Sequence, residues 1–441
     1  MGRPSKTRHL SIYMNGELVG IWTITAQGRQ EFRYDDAWRS SAAARSLSLS
    51  LPLAPATYAY TGDVVEHFFD NLLPDSLSIR QRIQQRFRTE STAPFALLAE
   101  IGRDCVGAIQ LLPEGVDLGQ IRSINAEPLT DADVEKILRA VPAPPAFGQK
   151  EREAEFRISL AGAQEKTALL FHKEKWCRPL GTTPTTHLFK LPLGVIGQLQ
   201  IDMSFSIENE WLCSRIVHAF GLPIARTEIA RFGDQKVLIV ERFDRKLSSD
   251  KTWLIRLPVE DLCQATGRSP GAKYESEGGP SIEEIMRLLL GARDAFVDRR
   301  TFLKTQVLFW MMAAIDGHAK NFSIFIEPEG RYSLTPIYDV LSAYPVMGHG
   351  ARQFAPEKLD MAMAVSGKDR HYEWARIQRR HWVTTAEHCN AGKEIEPIIS
   401  ELVERTPQVI AEVSENLPAG FPEQVAGPIL EGLARSAQKL Q

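Results

Sequence analysis

Three oxygen-bearing side chains set the chemistry open to this sequence. Asp316 and Asn321 stand five residues apart in the polar stretch Asp316-Gly-His-Ala-Lys-Asn321, and Asp339 follows a short way on. A carboxylate can take the proton of an attacking hydroxyl, while an amide oxygen and a second carboxylate can hold Mg²⁺ between phosphates. Two hard oxygen donors from the protein suffice for Mg²⁺, because phosphates and water complete its octahedron. This is the layout phosphoryl transfer needs, with Asp316 as base and Asn321 and Asp339 as metal ligands. His318 lies in the same loop. It has no His or Cys partners at zinc-ligand spacing, and a local hydrogen bond is its plainer reading.

An Asp and an Asn at this spacing recur by chance, so their weight comes from what flanks them. Phe302 to Ile315 reads as an apolar helix buried on most sides. Phe322 to Ile326 reads as a strand, Glu327-Pro-Glu-Gly330 as a turn and Arg331 to Leu334 as the return strand, which brings the chain to Asp339. A phosphate-contacting lysine is then expected upstream. Lys190 ends the alternating strand Thr186-His-Leu-Phe-Lys190, although a lysine at a strand end can also simply snorkel. Some twenty residues later a helix opens with Ser206-Ile-Glu-Asn-Glu, and either Glu208 or Glu210 could pair with Lys190. Val237 to Asp244 is an apolar strand leaving into a polar segment, suited to a hinge whose backbone reads adenine. Between two expected strands, Ser159-Leu-Ala-Gly-Ala-Gln-Glu-Lys166 has small residues that let backbone N–H groups approach phosphates. It is neither a Walker A loop, which would need Gly at the position of Glu165, nor a G-x-G-x-x-G loop.

The elements around these segments fall into three regions. Leu10 to Met14, Asn15-Gly16 and Glu17 to Trp22 predict a hairpin, since Asn-Gly supplies the positive φ angles of a type I′ turn. Further strands are expected at Gln30 to Tyr34 and, from its period of two, Ser46 to Leu51. Helices are expected from Val64 to Leu73 and from Ser76 to Phe87, the second with Arg80, Arg82, Arg86 and Arg88 on or just after a solvated face. Val141-Pro-Ala-Pro-Pro-Ala146 and the charged run Lys150 to Glu155 mark a boundary. Strands follow at Phe156 to Leu160, Thr167 to Phe171, Thr186 to Lys190 and Val237 to Val240, with a helix from Ser206 to Phe220. Beyond about residue 260 the pattern is mainly helical. The expected organisation is an N-terminal α+β domain over 1–145, an N-lobe over 146–260 and a helical C-lobe over 261–441.

Composition agrees with an ordinary globular chain. Its 441 residues are 44% hydrophobic and 24% charged, which excludes a disordered or fibrous protein. A net charge of −3 excludes a general polyanion binder, so any nucleic-acid contact must use a local patch. The five cysteines are scattered without a C-x-x-C pair, which points away from a disulfide framework or zinc ribbon and toward a reducing cytoplasm. The basic N-terminus runs straight into a strand with no apolar core of a signal peptide. The most apolar run, Val307 to Ile315, is far shorter than the roughly 20 residues that span a bilayer.

Taken together, these residues resemble the HipA family, the serine/threonine kinase toxins of bacterial toxin–antitoxin modules. The resemblance runs almost end to end: Phe68-Phe-Asp-Asn-Leu-Leu-Pro-Asp75, Glu100-Ile-Gly-Arg103, Phe156-Arg-Ile-Ser-Leu-Ala-Gly-Ala-Gln-Glu-Lys166, Thr182-Thr-Pro-Thr-Thr-His187, Val240-Glu-Arg-Phe-Asp-Arg245, Lys273-Tyr-Glu-Ser-Glu-Gly-Gly-Pro280 and Asp316-Gly-His-Ala-Lys-Asn-Phe322. It implies an α+β fold, with a small N-terminal domain packed on a two-lobed, lipid-kinase-like protein kinase whose C-lobe is mainly helical.

It also implies roles. Asp316 would be the catalytic base, Asn321 and Asp339 the Mg²⁺ ligands, and Lys190 the phosphate-binding lysine. ATP would further meet Ala161, Gly162, Ala163, Gln164, Glu165 and Lys166 in the phosphate loop, Glu241 and Phe243 at the hinge, and His318. Ser159 matches the family's autophosphorylated serine; a phosphate there would expel the loop by like-charge repulsion and block ATP. The family phosphorylates a serine of an aminoacyl-tRNA synthetase, typically the glutamyl enzyme, which leads to growth arrest and persistence. Its partner is HipB, a helix-turn-helix antitoxin dimer that binds operator DNA with the kinase attached. Arg376, Arg379 and Arg380, interleaved with Trp374 and Trp382, lie where family members touch DNA and could grip phosphates. A kinase of this fold with a different substrate, and a largely non-catalytic DNA-bound co-repressor, are the alternatives. The second is disfavoured because base, metal ligands and lysine are all present.

Overall fold

The computed structural model describes residues 7–143, 159, 161–162 and 164–441. The N-terminal region builds a five-stranded antiparallel sheet in the order Tyr60–Thr61, Gln30–Tyr34, Glu17–Ile24, Arg8–Met14, Ile109–Pro113. Asn15 and Gly16 both have positive φ, 45° and 95°, and Met14 pairs directly with Glu17, so the two-residue turn forms as expected. The helix Asp63–Asp70 covers the sheet, and its Phe69 stacks on Trp22 with ring centroids 4.0 Å apart.

Ser46 to Leu51 is not a strand. Leu47 and Leu51 are buried as the alternation requires, but the intervening serines consume the local hydrogen bonds. Ser50 N–H donates to Ser48 Oγ (3.0 Å), both hydroxyls donate to the Gln264 carbonyl, and Leu49 N–H donates to Glu260 Oε1 (2.8 Å). Serine side chains that bond neighbouring backbone compete with a sheet ladder, and here they win because the segment packs on residues 260–264.

A six-stranded sheet forms the second layer, in the order Thr227–Phe232, Gln235–Glu241, His187–Lys190, Lys166–His172, Lys175–Pro179, Ala126–Pro128. The helix Asp131–Ala140, closed at its start by a Thr130–Asp133 capping box, sets Val134 and Leu138 against Leu169, Phe189 and Val237. The helix Ser206–Ala219 packs Ile207 against Leu238 and Val240, the alternate residues of the same strand and so its other face. Residues 126–140, which the sequence reading groups with the N-terminal region, thus pair and pack with this sheet. The strand expected over Phe156 to Leu160 lies outside the described residues apart from Ser159.

The C-terminal region is mainly helical around one large core. Its central helix spans Ala295–Met311, starting earlier and ending earlier than expected. Asp294 caps the start by accepting from Val297 N–H, and the turn after Met311 passes through Ala313 at φ 48° on its way to Asp316. Three further helices, Arg379–His388, Gly392–Glu415 and Glu423–Leu440, pack into the core. A small sheet of Val259–Asp261, Ser323–Ile326 and Tyr332–Leu334 flanks the Asp316 loop and includes the expected hairpin.

A buried charge cluster joins the N-terminal region to the six-stranded sheet. Asp104 lies 2.9 Å from Arg245, 3.1 Å from Arg256 and 3.4 Å from Arg242, and Asp244 lies 2.8 Å from Arg242 and 3.0 Å from Arg245. Thr185 donates to Asp104 from both N–H and Oγ, and Gly107 N–H donates to Asp244 (2.7 Å). Burial would raise the Asp104 carboxyl, but the three guanidiniums hold it well below the usual carboxylate range. Among the described residues, no helix is long and apolar enough to cross a membrane.

Candidate active site

Two strands of the six-stranded sheet and the loop after the central helix bring the expected residues together. Lys190 ends its strand with Nζ 2.6 Å from Glu210 Oε1 and 2.8 Å from Asp339 Oδ1. Glu210, not Glu208, is thus its helix partner. Glu208 pairs with Lys236 instead, two positions earlier on the same helix. Burial pushes the Glu210 carboxyl up to about 7 against the pull of Lys190. Burial would raise Asp339 too, yet Lys190 and then Lys166 hold it down at about 2. Asp339 adopts φ 61°, a left-handed conformation that aspartate tolerates better than most residues and that recurs at functional sites.

The Asp316 loop is held from within and from outside. Asn321 donates from Nδ2 to the Asp316 carbonyl (2.7 Å), which leaves its amide oxygen for another partner. His318 N–H donates to the same carbonyl (2.8 Å). The His318 ring is buried, which lowers its pKa, while Asp316 and Asp339 oppose the shift from nearby. Its Nδ1 is buried without a hydrogen-bond partner among the described residues. Lys320 points away from this chemistry: its ammonium donates to the Asn71 carbonyl and Oδ1 (3.0 and 2.9 Å) and lies near Asp75 and Asp261.

The loop expected to meet phosphates leans on the N-terminal region. Gly162, at φ 99°, forms a parallel bridge with Pro74, and its carbonyl accepts from Asp75 N–H (3.2 Å). A Cβ at Gly162 would sit 2.7 Å from Lys166 Nζ, and the left-handed φ of 99° is what favours glycine here. Gln164 donates to the Leu191 carbonyl (2.5 Å), and Leu191 N–H donates to the Glu165 carbonyl (3.1 Å). Glu165 also pairs with Arg82. Arg80 binds Asp70 and the Pro74 carbonyl, both at 2.6 Å, so two arginines expected on a solvated helix face instead brace this corner. Ser159 is fully buried, with Oγ donating to the Leu72 carbonyl (2.6 Å). Ala161 borders the loop, and Ala163 lies outside the described residues.

At the hinge, Glu241 N–H donates to the Arg226 carbonyl and Arg242 N–H to the Thr186 carbonyl, both at 2.9 Å. The Phe243 ring packs against Tyr338 and Phe325, with centroids 5.7 and 5.9 Å away. In the segment expected to touch DNA, the tryptophans are buried while Arg376 and Arg380 are exposed. Trp374 and Trp382 are buried in the helical core, where Trp374 and Trp310 exchange indole-to-carbonyl hydrogen bonds (2.8 and 3.0 Å). Arg376 pairs with Glu373 at 2.9 Å, Arg379 binds Glu396 and the carbonyls of Leu440 and Gln441, and Arg380 lies 3.4 Å from His381.

The family description of the HipA-like C-terminal domain matches residues 158–410, more than half the chain, and that of the HipA N-terminal domain matches residues 10–112. The chain belongs to the HipA family. "Putative kinase Y4mE" of Sinorhizobium fredii is 32% identical over 417 residues, covering 93% of this chain and 92% of that protein. The serine/threonine-protein kinase toxin HipA of Shewanella oneidensis is 26% identical over 352 residues, 77% of this chain and 76% of that one. A chain from the solved complex of Shewanella oneidensis HipA, HipB and operator DNA aligns with a TM-score of 0.77 and 23% identity, over 98% of this chain and 97% of that chain. The α+β architecture expected from the resemblance is therefore the HipA fold.

Several residues of this HipA-family site carried no role in the sequence reading. Tyr274 donates its hydroxyl to Asp316 Oδ1 at 2.5 Å, and Lys273 binds Asp75 at 3.0 Å. Both sit inside family strings quoted above, as do Asp75, Arg242 and Arg245. The strings marked them as shared without saying what they touch.

Proposed function

We propose that this HipA-family chain is an ATP-dependent serine/threonine kinase and the toxin of a module with a HipB-like antitoxin. The observation that carries this reading is the placement of Lys190 between Glu210 and Asp339, with Asp316 and Asn321 on the adjoining loop. An ion-paired lysine beside a carboxylate and an amide oxygen is equipment for triphosphate and has no evident use in a DNA-bound scaffold. Asp339 and Asn321 are hard oxygen donors, and this donor set fits Mg²⁺. When bound, that ion would neutralise charge on the β- and γ-phosphates.

The residues divide the remaining work. Lys190 and Lys166 face the phosphates, with Ala161, Gly162, Ala163, Gln164 and Glu165 forming the loop over them. The Glu241 carbonyl and the Phe243 N–H read adenine; that N–H takes no partner among the described residues. His318 lines the phosphate end. Asp316 takes the proton of a serine hydroxyl as its oxygen bonds the γ-phosphorus and ADP leaves. The target we infer is a translation protein, glutamyl-tRNA synthetase first among them, with growth arrest and persistence as the outcome in the cytoplasm. Operator DNA is reached together with the antitoxin, through Arg380 and the exposed Arg376 before the core-facing tryptophans.

Self-inactivation acts through Ser159. Its hydroxyl is bound to the Leu72 carbonyl in a site with no access to solvent, which cannot house a phosphate carrying roughly two negative charges. Phosphorylation therefore forces this segment off the N-terminal region, and the loop anchored at Pro74 and Asp75 goes with it. Intact mass after incubation with Mg-ATP, beside Asp316→Ala, tests the reading. One added phosphate in the wild type only, mapping to Ser159, is expected. A protein that starts unmodified and stays unmodified would move the reading to a DNA-bound co-repressor. A phosphoproteome after induced expression identifies the target.

A further inference from the structure

The segment Lys273–Gly279 places one side chain directly on the base. Tyr274 Oη donates to Asp316 Oδ1 at 2.5 Å, and its ring meets His318 edge-on with centroids 5.1 Å apart. Burial first, and Asp316 second, push the Tyr274 phenol above its usual range, so it stays protonated and acts as a donor.

Its position is over-determined. Lys273 is tied to Asp75 (3.0 Å), and the Lys273 carbonyl accepts from Ala319 N–H in the Asp316 loop (3.1 Å). The Tyr274 carbonyl accepts from Gly279 N–H (2.8 Å) and Glu277 N–H (3.0 Å). A Cβ at Gly279 would lie 2.7 Å from that same carbonyl oxygen, so the turn closes only on glycine. A tyrosine held by its own backbone, its neighbour and its ring is not a surface side chain that happens to reach an aspartate.

We propose that Tyr274 is a positioning residue for Asp316: it occupies Oδ1, fixes the carboxylate's orientation, and leaves Oδ2 to receive the acceptor proton. This inference rests on the kinase reading. In the step it serves, the acceptor proton passes to Asp316 Oδ2, the acceptor oxygen bonds the γ-phosphorus, and the bond to the bridging oxygen breaks to release ADP. A base that must meet a hydroxyl within hydrogen-bond reach gains from having one oxygen already committed, because rotation about the carboxylate is then removed before the acceptor arrives.

Tyr274→Phe removes the hydroxyl and keeps the ring against His318. The experiment starts from full-length, dephosphorylated protein. It measures the rate of Ser159 phosphorylation at saturating Mg-ATP, the affinity for a fluorescent ATP analogue, and Tm. The expected result is a rate lowered about tenfold or more, with nucleotide affinity and Tm equal to wild type. A variant as fast as wild type, or faster, would overturn the proposal, the faster result making Tyr274 a plug that acceptors displace. A slow variant whose nucleotide affinity and Tm fall in parallel would overturn it too, by showing a merely structural role. If the wild type itself transfers no phosphate, the kinase reading fails and takes this proposal with it; wild-type transfer with an unaffected variant fails the proposal alone.

Discussion

Lys166 and Lys190 stand directly opposite each other across neighbouring antiparallel strands, so two ammonium groups share one face of the sheet beside Asp339. The two fare differently. Lys190 has Glu210 and Asp339 within 2.8 Å and is held charged; Lys166 has no such pair among the described residues. Burial pushes Lys166 down to about 8, Lys190 pushes the same way, and Asp339 opposes.

The pH dependence of nucleotide use follows from that difference. Below pH 8 Lys166 is charged and attracts phosphates; as pH rises through about 8 it loses its proton and the attraction fades. kcat/KM for ATP, which reports the free enzyme, should therefore fall on an alkaline limb centred near 8. Lys166→Met should lower kcat/KM at pH 7 and abolish that limb. A limb that survives in the variant would assign it to another group.

Glu210 and Glu208 offer a paired test on one helix. Glu210→Gln removes the buried anion that orients Lys190, and a misplaced phosphate-binding lysine costs on the order of a hundredfold in rate. Glu208→Gln should leave the phosphorylation rate close to wild type, because the buried Glu208 pairs with Lys236 and not with Lys190. Equal losses in a phosphorylation assay would contradict the assignment.

The Asp104 cluster predicts a stability effect far from the chemistry. Asp104→Ala leaves Arg242, Arg245 and Arg256 buried with only Asp244 to balance them. Breaking such a network costs about 3–5 kcal/mol. The denaturation midpoint in urea should fall accordingly, and the joint between the N-terminal region and the hinge should become protease-sensitive first. A loss under about 1 kcal/mol would mean the arginines find solvent.

Glu260 should make stability pH-dependent. It is fully buried, Oε1 accepts from Leu49 N–H, and Oε2 has no hydrogen-bond partner among the described residues. Burial pushes its carboxyl up from 4.5 to about 8. Between those values the folded state holds a proton that the unfolded state has released, so stability declines as pH rises from about 4.5 to 8. Glu260→Gln should match wild type in Tm near pH 5 and exceed it by pH 8, as read by thermal denaturation across that range.

Much of the site was legible without the fold. The Asp316, Asn321 and Asp339 spacing, the strand ending at Lys190, the Asn15-Gly16 turn and the Ser206 helix are all written in local order, because turn chemistry and apolar periodicity act over a few residues. Periodicity reports which face of an element is apolar; it does not name the partner that face will meet. So it could not choose Glu210 over Glu208, which lie less than one helical turn apart on a helix buried along most of its length. It read Ser46 to Leu51 as a strand because leucine and serine alternate in the sequence, while Gln264 and Glu260, over two hundred residues away, took the hydrogen bonds a strand would need. It left Arg80 and Arg82 in solvent, named no strand at 126–128, and passed over Tyr274. Sequence order alone thus determined the chemistry available to this chain. The tertiary structure decided which acid pairs with Lys190, that Tyr274 bonds Asp316, and that Leu72 and Pro74 of the N-terminal region meet Ser159 and Gly162, because each is a contact between segments apart in the chain and depends on burial that only the packed molecule provides.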